Sequence, residues 1–382
     1  MPLADQLQAQ TERFESFLAS DPDNVSLLMQ LGDLYLQGGK LDQALASFER
    51  VIALAPGTAV AHGRLATVYL ALHRFGEAAA TLQGLIDGGE TDAALYHNLG
   101  LALYYQERYA DAASAFTIAQ KNGVDNANNA KYLAHCLHHE GELDAANAAC
   151  EHWASIANDA DSNAYLSLVN FDMGDRVRAG DLARQVLAED PDSVDANAVA
   201  GALALEKQDI DGASASFERI LAQRSDNGRA WLGLGLTLMH KQNNADAIAA
   251  MTKASDCMPG HAGTLIALGW AKLNAGDAVG AEQAFRAAIE ADRNFAESHG
   301  GLAAALVTQQ RIDEAKHAMT VANKLDPANF GSVYTQAALL KLDGRSELAD
   351  RLIERALRQS PLEGTPTLFE HLSTFLSMRP KK

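Results

Sequence analysis

Residues 24–56 read NVSLLMQLGDLYLQGGKLDQALASFERVIALAP. Leu27, Leu28, Leu31 and Tyr35 recur at steps of three and four, which lays one apolar stripe along a helix. Gly38-Gly39 interrupts that pattern as a turn would, because a left-handed backbone is easy for glycine. Leu41, Ala44, Leu45 and Phe48 begin a second stripe, and Pro56 stops it. The stretch is therefore one helix–turn–helix unit.

The unit repeats. Ala44, Ala78, Ala112, Ala146, Ala179, Ala213, Ala247, Ala281, Ala315 and Ala349 stand 34 residues apart, with one 33-residue step between Ala146 and Ala179. Twelve residues before each alanine lies a small residue: Gly32, Ala66, Gly100, Ala134, Ser167, Gly201, Gly235, Gly269, Ala303 or Ala337. Four residues after it most units carry a bulky one, such as Phe48, Leu82, Phe116, Phe217, Met251, Phe285 or Met319. Units of this kind cannot bury their apolar faces alone, so a fixed period of this length predicts a stack.

In these positions the chain resembles the tetratricopeptide repeat family. Leu28, Leu31-Gly32, Tyr35, Ala44, Phe48 and Pro56 reproduce most of its pattern, and Trp231, Leu234-Gly235, Ala247, Ala254 and Pro259 give a second close match. The resemblance implies an all-α, right-handed superhelical solenoid of ten tandem repeats with terminal capping helices. The repeats are expected at 25–58, 59–92, 93–126, 127–159, 160–193, 194–227, 228–261, 262–295, 296–329 and 330–363. Residues 1–24, with Phe14, Phe17 and Leu18, read as an N-terminal cap. Residues 364–382 read as a capping helix from Thr365-Pro366, with Leu368, Phe369, Leu372, Phe375 and Leu376 on one face, followed by a basic tail. At the irregular step Trp153 replaces a small residue, which predicts altered curvature near residues 150–165.

Charge narrows the partners. With 31 basic against 49 acidic residues, a net charge of −18 and no basic run, neither a nucleic-acid backbone nor an anionic membrane is an expected partner. The acidic excess reads as solvation of exposed helix faces. The start, Met-Pro-Leu-Ala-Asp-Gln, lacks a secretory pattern and no segment reaches membrane-spanning length, so a cytoplasmic location is expected. Cys136, Cys150 and Cys257 form no disulfide framework and read as small buried hydrophobes.

No phosphate-binding loop, His-Glu-x-x-His or nucleophile elbow is present, and Gly233-Leu-Gly235 reads as a helix-packing pair. The expectation is a non-catalytic scaffold or adaptor, without a cofactor, that binds a protein or peptide segment. Family geometry places the groove on the first-helix positions that face away from the second helix. Mapped here, that groove carries Tyr104, Tyr105, Lys131, Phe171, Leu205, Leu232, Leu236, Met239, Ile266, Trp270 and Leu273, with repeats five to eight as its apolar centre. Met239 and Trp270 are the expected anchors, one adaptable and one rigid. The family's carboxylate clamp is missing, since its positions hold Met29, Asp33, Gly63 and Thr67, with Lys131 and Asn98 as isolated matches. The asparagine ladder of sugar-transferase relatives is missing too.

Two further readings remain open. A self-assembling homo-oligomer is one. The other is weak metal binding in the fourth repeat, where His135 and His139 have the i, i+4 spacing of shared ligands and His138 lies beside them.

Overall fold

An Asn or Asp caps the start of several helices. Asn24 accepts the Leu27 N–H at 3.0 Å, and Asn126 and Asn227 accept from Asn129 and Ala230 at 2.9 Å. The computed structural model describes residues 3–358, so the expected final helix and tail lie outside the described residues. Among those residues the chain is entirely helical, and none of its helices is long and apolar enough to cross a membrane.

The chain divides into two units, 1–162 and 163–382. In the first, α1 (Leu3–Ser20) is followed by four helix pairs: α2 (Val25–Gln37) with α3 (Leu41–Leu54), α4 (Ala59–Ala71) with α5 (Phe75–Asp87), α6 (Ala93–Tyr104) with α7 (Tyr109–Lys121), and α8 (Ala127–Glu140) with α9 (Leu143–Ala157). Phe14 and Leu18 of α1 are partly buried, and Tyr35 of α2 donates its hydroxyl to Glu15 at 2.7 Å, which ties the leading helix to the first pair. The second unit takes most of α10 (Ala160–Met173), then α11 (Arg176–Glu189), α12 (Val194–Glu206), α13 (Ile210–Gln223), α14 (Gly228–His240) and α15 (Asn244–Cys257). It continues with α16 (Ala262–Asn274), α17 (Ala278–Ala291), α18 (Ala296–Thr308), α19 (Ile312–Leu325), α20 (Phe330–Leu342) and α21 (Ser346–Arg358). The 33-residue step has a local cause. After α9 only Asn158 and Asp159 intervene before α10; Asn158 adopts a left-handed φ of 49°, and Asp159 accepts the Ser162 N–H at 2.9 Å.

Inside each pair the small residue and the bulky one meet. A methyl group built on Gly32 would fall 2.5 Å from the Phe48 ring, and on Gly100 or Gly269 it would fall 2.7 Å from Phe116 or Phe285. The rings themselves are fully buried. Two of them are held from both sides. Phe217 lies against Gly201 and also against Gly233 of the following repeat, and Phe285 against Gly269 and Gly301. Gly233 and Gly235 are thus packing residues, the latter against Met251.

The turn between paired helices uses one conformation throughout. The residue five before each periodic alanine has a positive φ: Gly39, Gly141, Gly174, Gly276 and Gly344 at 70° to 93°, but also His73, Glu107, Gln208, Gln242 and Gln310 at 56° to 62°. The tertiary contacts of five repeats therefore hold a side chain where only glycine is at ease.

Unfolding measurements on four variants test this account. Gly32→Ala should destabilise the chain by about 1–3 kcal/mol in urea unfolding, because the added methyl overpacks a closed site. Adding Phe48→Leu should return part of that loss, since Ala66 and Leu82 stand together at those positions in the second repeat. Gln310→Gly should raise stability by about 0.5 kcal/mol, the relief of strain exceeding the extra freedom of the unfolded chain, whereas Gly141→Gln should lower it.

Candidate segment-binding site

The end of α6 and the inner turns of α8 bring an aromatic cluster to the surface of the first unit. Tyr105 stacks on Phe75 with ring centroids 4.8 Å apart, and its hydroxyl lies 3.0 Å from that of Tyr132. Tyr104 stands edge-on to Tyr105, Tyr109 and Tyr132 at 4.9 to 5.6 Å. Tyr109 stacks on His139 at 4.1 Å. Burial, and then the bond to Tyr105, push the Tyr132 hydroxyl above the ordinary tyrosine range, so the Tyr132 phenol is uncharged at neutral pH. Tyr105 itself remains 49% exposed, a rigid ring offered to solvent. Lys131 stands next to this cluster in α8, its ammonium 5.3 Å from the centre of the Trp153 ring.

The histidines of α8 are spread over different partners. His135 lies 3.4 Å from the Tyr104 hydroxyl and edge-on to Trp153, His138 is buried, and His139 is the ring stacked on Tyr109. Among the described residues no group of three or more His, Cys, Asp or Glu is placed to hold a metal ion. Burial pushes the Cys136 and Cys150 thiols up to about 12, so both are protonated packing groups. Cys257 differs from the sequence expectation: it is exposed.

The apolar stripe expected in repeats five to eight is not an open surface. Phe171, Leu205, Leu232, Leu236, Ile266 and Trp270 are buried, and Met239 and Leu273 are partly buried. Facing away from the second helix of the same repeat does not mean facing solvent. Consecutive first helices touch, α12 on α14, α14 on α16 and α16 on α18. Phe171 shows the result: the Arg176 guanidinium lies 4.1 Å over its ring and is fixed there by Glu206 at 3.0 Å. Trp270 is enclosed by Phe285, Phe330 and Tyr334 and donates its indole N–H to Glu297 at 3.2 Å.

Of the residues expected in the groove, Tyr104 and Tyr105 thus belong to one partly open aromatic cluster, and Lys131 lies over Trp153. Sequence reasoning missed Phe75, Tyr109 and Tyr132 as its framework. The readable signal was aromatic density: tyrosines at 104, 105, 109 and 132 fall within one repeat and the start of the next.

Comparison with known proteins agrees with this architecture. A family model described as tetratricopeptide repeat matches residues 12–59, 97–164, 198–262 and 266–328, and a second of the same description matches residues 36–102. Cellulose synthase operon protein C of Xanthomonas axonopodis pv. citri is 24% identical over 370 residues, covering 88% of this chain. The chain spans only about a quarter of that relative's length, 24%. Among solved structures, the human IFIT1 dimer with m7Gppp-AAAA is 15% identical, with a TM-score of 0.54 over 89% of this chain and 91% of its own. A monomeric IFIT1 mutant with Gppp-AAAA gives 15% and 0.55, over 87% and 90%. Those two likenesses concern the fold alone. With matches over more than half of its length, the chain belongs to the tetratricopeptide repeat family.

Proposed function

We propose that this protein is a non-catalytic scaffold that holds a segment of a partner protein on the tyrosine face of α6 and α8. The observation that carries the reading is the half-exposed ring of Tyr105, fixed from one side by Phe75 and from the other by the hydroxyl of Tyr132. A ring already held in place gives contact area without a large loss of side-chain freedom, which is the character of an interface anchor. Tyr104, Tyr109 and His139 extend the apolar surface around it. Lys131 adds a cationic edge suited to a carboxylate or a carbonyl of the bound segment. A protein partner fits this composition better than a nucleic acid does, given the net charge of −18.

The test is selection of displayed peptides on the full chain, followed by affinity measurement on the enriched sequences. Tyr105→Ser is expected to weaken binding about tenfold or more, the effect of losing an anchor worth over about 1.4 kcal/mol, with helicity and urea midpoint unchanged. Val177→Ser, an exposed position in the second unit, should leave affinity as it was. Equal affinities for wild type and Tyr105→Ser would remove the tyrosine face from consideration.

A further inference from the structure

The tenth repeat's first helix sits in an unusual place. Ten of the thirteen residues of α18 are buried, against four of the thirteen in α2, because α20 lies directly on it. The approach is backbone to backbone: a methyl group built on Gly331 would fall 2.1 Å from the carbonyl carbon of Gly300. From there α20 reaches past the ninth repeat to the eighth, placing Phe330 and Tyr334 on Trp270 with ring centroids 5.4 and 5.8 Å away. A carboxyl group is sealed beneath this contact. Glu297 accepts the Trp270 indole N–H at 3.2 Å and the Gly331 backbone N–H at 3.4 Å.

This interface is poorly compensated. Among the described residues Glu297 has no cation within ion-pair distance. Two other buried hydroxyls at the contact, Ser298 and Ser332, have no hydrogen-bond partner. A buried polar group left without a partner costs free energy that a solvated one does not. The contact therefore combines close glycine packing and aromatic burial with a carboxyl that has hydrogen-bond donors but no cation at its centre.

We propose that Glu297 is a proton-operated latch: α20 stays seated over Trp270 while the carboxyl is neutral and lifts away when it ionises. Groups on three elements face the carboxyl. They are the Trp270 indole on α16, the N-terminal amides of α20 at Phe330 and Gly331, and the carboxylate of Asp326 in the α19–α20 turn, whose negative charge opposes ionisation of Glu297. Desolvation dominates and Asp326 adds to it, outweighing the donors and raising Glu297 from 4.5 to about 7. The seated state thus binds the proton more tightly than the lifted state, in which the group is solvated. Seating is favoured below the ordinary glutamate value and is lost progressively as pH rises toward and through about 7. Lifting uncovers Trp270, Glu297 and the glycine face of α18. The chain's own occupant shows what that cleft takes: the N-terminal turn of a helix with aromatic residues at its first and fifth positions.

Hydrogen exchange on the full chain, corrected for the intrinsic pH dependence of amide chemistry, reads the latch directly. The opening constant of α20 amides should rise about 150-fold between pH 4.5 and pH 8, most of what the shift in Glu297 supplies, while α14 amides stay level. Glu297→Gln should give an opening constant that no longer changes with pH. If that variant leaves α20 unprotected throughout, Asp326→Asn decides, because removing the neighbouring charge should move the transition to lower pH. A flat wild-type profile, an unchanged profile in Glu297→Gln, or an unmoved transition in Asp326→Asn would overturn the proposal.

Discussion

A ring pressed onto a residue with no room for a side chain holds four of the repeats together. In four repeats the pair is glycine and phenylalanine: Gly32 with Phe48, Gly100 with Phe116, Gly201 with Phe217 and Gly269 with Phe285. Where the first member gains a methyl group, as at Ala66 and Ala134, the second shrinks to Leu82 or Cys150. Close packing explains the exchange, because an interior at crystal-like density cannot absorb a methyl group without giving up volume nearby. The helix pair keeps its spacing by trading volume between two positions, and the stack inherits that spacing.

This contact explains why the architecture was legible in the sequence. Its two members and the periodic alanine between them are fixed in register, so the period, the helix pairs and the turn position could all be read without coordinates. The turn was only half legible. Glycine marked it in the first, fourth, fifth, eighth and tenth repeats, whereas His73, Glu107, Gln208, Gln242 and Gln310 adopt the same left-handed backbone with no sign in their residue type. There the packing of both helices overrides local preference.

The candidate site was less legible for a geometric reason. A helix in a stack has three kinds of neighbour: its own second helix, the first helix before it and the first helix after it. Periodicity distinguishes the side that meets the second helix from the remainder, but it does not divide that remainder into buried flank and open face. Leu232 and Ile266 fall on the buried flank, and Tyr105 falls on the open face. Trp270 is buried by a longer reach, the seating of α20, which no single repeat encodes. What separates these cases is the size of residues on adjacent helices, glycines above all, and that is a property of pairs of repeats.

The doubly held rings lead to a point about how such a chain can lengthen. Phe217 has its two glycine sockets sixteen residues behind and sixteen residues ahead, at Gly201 and Gly233, and Phe285 has the same arrangement with Gly269 and Gly301. A tandem copy of residues 201–234 therefore delivers a second ring with a glycine in step on both sides of the junction. An insertion of another length would put a side chain where a socket has to be. The packing rule thus acts as a reading frame for duplication, one that accepts whole repeats and rejects fragments.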